Sequence, residues 1–138
     1  MSFTLTNPEP LYVLDTHALI WYLRDDAKLS PSARAIFLAA EANRTLLLIP
    51  AIVIAELYYV NLKHKWFADF TIVFNEIVSK PFVRFVALEH THILDFKQDD
   101  TVPEMHDRII AGVARRLGVP LISSDIAIAA SGIIQVIW

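Results

Sequence analysis

Five short runs of apolar residues, Leu11–Leu14, Thr45–Ile49, Val83–Leu88, Leu121–Ser123 and Ile133–Ile137, are continuous rather than alternating in character. A sheet with one wet face alternates apolar and polar residues, whereas strands covered on both faces do not. Helical patterns separate these runs: Thr16 to about Leu23, a helix opening at Ser30-Pro31 and reaching about Asn43, Pro50 to about Lys63, Trp66 to Ser79, about Glu89 to Gln98, and His106 to Leu117. Ser30 before Pro31 reads as an N-cap followed by proline at the first helical position, and Gly118 closes the last helix. Asp99 to Pro103 reads as a loop. Strands joined through helices predict an α/β fold of three layers, a five-stranded parallel sheet with helices on both faces. The length of 138 residues is that of a single domain, 1–138.

Within this apolar frame three carboxylates stand alone: Asp15 within residues 10 to 23, Glu56 within 45 to 62, and Asp125 within 117 to 138. Desolvating a bare carboxylate is costly, so each requires a proton, a cationic partner or a metal. No Lys or Arg is near in sequence, and one divalent cation would compensate all three together. In an open parallel sheet, sites form beyond the carboxyl ends of the strands where the strand order reverses. Asp15 ends the first strand and Asp125 the fourth, so the order 3-2-1-4-5 brings them together. Glu56, about one and a half turns into the helix after the second strand, can project to the same end.

Asp107 is a fourth candidate. An acid in a first helical turn also stabilises the helix through its macrodipole. Helix phase nevertheless aligns Asp107 with Ala111 and Ala114 at the edge of the apolar side marked by Ile109, Ile110, Val113 and Leu117, with Arg108 and Arg115 on a polar side. The four acids point to a metal-dependent hydrolase.

Composition narrows the partners. Hydrophobic residues make up 55% and charged residues 20%, an apolar excess over average usage that predicts a further buried surface such as a homodimer interface or a partner groove. The net charge of −3, with 12 scattered basic residues, argues against a broad nucleic-acid footprint but leaves room for a small site where metal supplies the positive charge. Met1 to Pro10 carries neither a basic residue nor an apolar segment, no apolar run is long enough for a membrane span, and there is no cysteine. A cytoplasmic protein with no membrane partner is expected.

The segment Tyr12-Val13-Leu14-Asp15-Thr16-His17-Ala18-Leu19-Ile20-Trp21 resembles the opening of a PIN-domain protein. His106-Asp107-Arg108-Ile109-Ile110-Ala111 and Leu121-Ile122-Ser123-Ser124-Asp125 resemble that family's downstream half. Within it the chain is similar to the toxin component of VapBC toxin–antitoxin systems. The resemblance implies a Mg²⁺- or Mn²⁺-dependent endoribonuclease, with Asp15, Glu56, Asp107 and Asp125 as both catalytic and metal-binding residues and a cognate antitoxin as partner. Ser123 matches a position where such proteins carry a hydroxyl residue, and Thr16 is a second supporting candidate. Pro103-Glu104-Met105-His106 departs from the family's commoner lead-in, and so does the acidic balance.

Hard divalent cations prefer oxygen ligands, so a few carboxylates suffice. Asp15 and Asp107 are the expected direct ligands, Asp125 helps directly or through water, and Glu56 is either a ligand or the general base. Whether one cation or two binds stays open. His17 and His106 match no zinc spacing and read as packing or capping residues. Trp66, Phe67, Phe70 and Phe74 recur at helical spacing and read as core, while Asp99-Asp100 reads as a solvated loop pair. An aspartyl phosphotransferase would carry a second acid two residues after Asp15, where His17 stands, and a receiver domain would carry a late Lys. The alternative is a catalytically silent PIN-like scaffold that binds RNA or protein.

Overall fold

The computed structural model describes residues 10 to 138. Of Met1 to Pro10, the segment without a basic residue or an apolar run, all but Pro10 lies outside the described residues. The elements run β1 (Leu11–Leu14), α1 (Thr16–Leu23), α2 (Pro31–Glu41), β2 (Leu46–Pro50), α3 (Ala51–His64), α4 (Phe70–Ser79), β3 (Val83–Val86), a 3-10 turn (His90–Phe96), α5 (Met105–Leu117), β4 (Leu121–Ile122), α6 (Ile126–Ser131) and β5 (Val136–Ile137). All strand pairs are parallel, in the order β3-β2-β1-β4-β5. Val13 sits opposite both Leu48 of β2 and Leu121 of β4, at the centre of the sheet.

This order places the helices. Crossovers between parallel strands are right-handed, so the two that step from β1 outward to β3 lay their helices on one face. The chain then returns across the sheet through α5 to β4, and the reversal puts α5 and α6 on the other face. Covered on both sides, the central strands bury Val13, Leu14, Leu47, Ile49, Leu121 and Ile122 almost completely. The switch in direction lies between β1 and β4, with Asp15 at the end of one strand and Ser123 at the end of the other.

Helix boundaries follow their caps. The Ser30 hydroxyl accepts from Ala33 N at 3.1 Å with Pro31 at the first helical position, and α5 ends at Gly118 in the left-handed region at φ 67°. The aromatic run is where expectation and structure differ. Trp66 and Phe67 precede α4, because Lys65 turns left-handed at φ 54° and the Asn61 side chain clasps Phe67 through both its amide N–H and its carbonyl. Trp66 packs on Trp21 instead, Phe74 is partly exposed, and the buried stripe of α4 is Val73 and Ile77. Helix α6 was not anticipated, and the predicted helix from Glu89 is a 3-10 turn.

The Asp99-Asp100 loop is a second correction. Asp100 is exposed, but Asp99 is buried and held by Arg115, which offers Nε at 2.5 Å and Nη2 at 3.2 Å. Arg115 thus faces a buried partner, not open solvent. Among the described residues, no helix is long and apolar enough to cross a membrane.

Candidate metal centre

Asp15 leaves β1 and caps α1 in one step. Its Oδ1 accepts from Thr16 N at 2.7 Å, and its Oδ2 accepts from the Ser123 hydroxyl at 2.6 Å. Ser123, just past the neighbouring strand β4, is itself buried, and its Oγ accepts from Asp125 N at 3.0 Å. One hydroxyl therefore ties the ends of β1 and β4 together and sets the backbone from which Asp125 caps α6, through Ile128 N at 2.9 Å. From the other side, the Thr16 hydroxyl donates to Glu56 Oε1 at 2.5 Å and draws the α3 carboxylate to the start of α1. Thr16 and Ser123 thus each bridge a carboxylate to a neighbouring element.

Asp107 approaches from the first turn of α5, on the helix edge that its phase predicts. Burial and the charges of Asp125, Asp15, Glu104 and Glu56 push its carboxyl up from the usual range to about 7. Asp15 is also pushed up, chiefly by burial and further by Asp125, against the opposing effect of its Ser123 and Thr16 bonds and the His17 charge. Glu56 is raised by burial and by the neighbouring Asp15 and Glu104, with the Thr16 bond and His106 acting the other way. Asp107 therefore stands within electrostatic reach of the other three predicted acids. Among the described residues none of them pairs with a Lys or Arg.

Sequence reasoning missed one member of this neighbourhood and undervalued another. Glu104 caps α5 by accepting from His106 N at 2.8 Å and Asp107 N at 3.2 Å, and its Oε2 lies 3.0 Å from His106 Nδ1. Burial pushes the Glu104 carboxyl up, but these bonds and the imidazole outweigh it and leave it below its usual range. The signal was an acid three residues before Asp107 at a helix start, masked by the adjacent Pro103. His106 packs against this acid and so is more than a capping residue, whereas His17 is exposed with its ring against Trp21.

The donor chemistry fits a hard divalent cation. Neighbouring carboxylates with no cationic side chain repel one another, and a Mg²⁺ or Mn²⁺ ion relieves such repulsion with the ligand type it prefers. Among the described residues Glu56, Glu104 and His106 place donor atoms within 4.8 Å of one another, and Asp15, Asp107 and Asp125 are further oxygen donors in the same neighbourhood.

The PIN domain family model matches residues 12–131, most of the 138-residue chain. The chain belongs to the PIN-domain family. No curated protein matches it. Among solved structures it is similar to VapBC2 from Rickettsia felis bound to a promoter DNA fragment, at 18% identity and a TM-score of 0.66 over 92% of this chain and 97% of that one. FitAcB from Neisseria gonorrhoeae aligns at 15% identity and 0.65, covering 92% and 96%. VapC20 from Mycobacterium tuberculosis, a sarcin-ricin loop cleaving toxin, aligns at 15% and 0.64, covering 88% and 95%. At such identities the likeness carries the fold, and the strand order of this PIN domain is the one expected from its sequence.

Proposed function

We propose that this PIN domain is a Mg²⁺- or Mn²⁺-dependent endoribonuclease, the toxin of a type II toxin–antitoxin pair acting in the cytoplasm. The observation that carries the reading is Asp15, tied to Ser123 where β1 and β4 end, with Asp107 in electrostatic reach of Asp15, Glu56 and Asp125 and no basic partner for any of the four among the described residues. A divalent cation held by Asp15 and Asp107, with Asp125, would supply Lewis acidity toward a phosphodiester and its leaving oxygen.

The protein's own groups have distinct tasks. Ser123 and Thr16 N fix both oxygens of Asp15, so its orientation costs no reorganisation when substrate arrives. Ile128 N fixes one oxygen of Asp125, Oδ1. Glu56 hangs from the Thr16 hydroxyl with raised proton affinity, which suits it to accept a proton from an attacking water. RNA as substrate is supported by family membership and by the likeness to a toxin that cleaves a sarcin-ricin loop. An antitoxin partner is supported by the likeness to the VapBC2 and FitAcB structures. Homodimerisation is supported by the exposed apolar residues Tyr59 and Leu62 of α3 and Ile72 and Val78 of α4.

The test is cleavage of an RNA pool by wild-type protein and Asp107→Asn with Mg²⁺, Mn²⁺ or EDTA. Wild-type cleavage should need metal, and Asp107→Asn should lose at least about a hundredfold in rate while keeping its circular dichroism spectrum. Full cleavage by the variant would sink the assignment. A wild-type protein that binds neither metal and cleaves nothing would be the silent scaffold.

A further inference from the structure

Next to the four acids lies a group of different chemistry. Glu56, Glu104 and His106 each place one donor atom within 4.8 Å of the other two. Ligands about 2.1 Å from a metal stand roughly 3 to 4 Å apart. A small rotation of the exposed Glu104 side chain therefore brings the three within reach of one ion.

The local geometry prepares the imidazole for that role. His106 Nδ1 and Glu104 Oε2, 3.0 Å apart, already stand at the spacing of two ligands that share an ion. N-caps favour short side chains such as Ser, Thr, Asp and Asn. A glutamate at position 104 caps His106 N and Asp107 N and still reaches the ring, through three contacts shared between its two oxygens. A carboxylate has about four lone-pair sites, so capacity for a cation remains.

We propose that Glu104 and His106, with Glu56, form a mixed carboxylate–imidazole subsite beside the four-acid cluster, and that this subsite favours Mn²⁺ over Mg²⁺. The inference rests on the reading of the four acids as a cation site. Mg²⁺ demands oxygen ligands and keeps its waters, whereas affinity for imidazole rises along the divalent transition metals, so one nitrogen donor shifts the balance. Its position one residue before Asp107 extends the acidic site in place of founding a separate one.

Calorimetric titration with Mn²⁺ alone and Mg²⁺ alone, on wild-type protein, His106→Ala, His106→Gln and Glu104→Gln, tests this. Pulsed EPR of bound Mn²⁺ reads nitrogen coupling directly, and His17→Ala controls for the other nearby imidazole. Wild type should show nitrogen coupling that survives in His17→Ala and vanishes in both His106 variants. Mn²⁺ affinity should fall roughly tenfold or more on loss of His106, with Mg²⁺ affinity nearly unchanged, whereas Glu104→Gln should weaken both metals. Normal binding of both metals without nitrogen coupling, or with an unaltered Mn²⁺ to Mg²⁺ ratio in folded His106→Gln, overturns this inference and leaves the nuclease reading standing. Failure of wild-type protein to bind either metal overturns both.

Discussion

Asp15 and Asp99 are both withdrawn from water, at 7% and 1% exposure, and the chain compensates them differently. Asp99 faces the Arg115 guanidinium through both oxygens, and a second acid, Asp95, joins the network through Arg115 and Arg116. Asp15 receives only a hydroxyl and an amide N–H and shares its surroundings with other acids. A bidentate arginine neutralises a carboxylate permanently, and such a group belongs to the scaffold. An acid held in place by neutral donors keeps its demand for positive charge, which a metal can then meet. Burial alone therefore does not mark a site; the lack of a built-in counter-charge does.

The largest effect is expected where this difference is broken on the scaffold side. Asp99→Ala leaves Arg115 without its buried partner, a change that costs about 3 to 5 kcal/mol for a fully buried pair. Arg115 retains Asp95 and some exposure, so the lower end, about 3 kcal/mol, is the expected loss in urea unfolding. A loss below about 1 kcal/mol would remove Asp99 from the structural class.

On the site side the sign reverses. Asp107 accepts no side-chain hydrogen bond among the described residues, and its carboxyl is raised to about 7 from 3.8 by burial and then by its acidic neighbours. In metal-free protein the folded state holds this proton between about pH 4 and 7 while the unfolded chain has released it, so stability falls as pH rises through that window. Asp107→Asn should flatten this slope and stabilise the EDTA-treated domain at pH 8 by roughly 1 kcal/mol, a figure discounted for solvent screening. Thermal melts at pH 5.5 and 8 measure it, and saturating Mn²⁺ should raise the wild-type midpoint at pH 8. A variant less stable than wild type at pH 8 would mean that the four acids do not strain the fold.

The same contrast explains what was legible in the chain. Asp15, Glu56 and Asp125 are visible because no charge surrounds them in sequence, and helix phase adds Asp107. The strand order follows from continuous apolar runs such as Leu11–Leu14, which require cover on both faces. Asp99 was misread because its partner is 16 residues away, beyond any local pattern. Glu104 was missed because its carboxylate turns toward the site only once α5 exists. Trp66 and Phe67 kept helical spacing, but a left-handed Lys65 and the Asn61 clasp overrode the period. Helix α6, with six residues, is too short to show a helical period.

The smallest predicted effect probes how rigid the arginine-held acid is. A Cβ on Gly112 would lie 3.0 Å from Asp99 Oδ2, so the neighbour must give by a few tenths of an ångström. In a helix interior Ala is better than Gly by about 1 kcal/mol, while overpacking a core costs about 1 to 3 kcal/mol. Asp99 is pinned on both oxygens and cannot yield easily. Gly112→Ala should therefore destabilise by about 1 kcal/mol net. In an Asp99→Ala background the clash is gone and only the helix preference remains, so the same substitution should become neutral or stabilising. Additive losses in that double-mutant cycle would show that the cost of Gly112→Ala arises elsewhere, and that the pair is softer than its bidentate geometry implies.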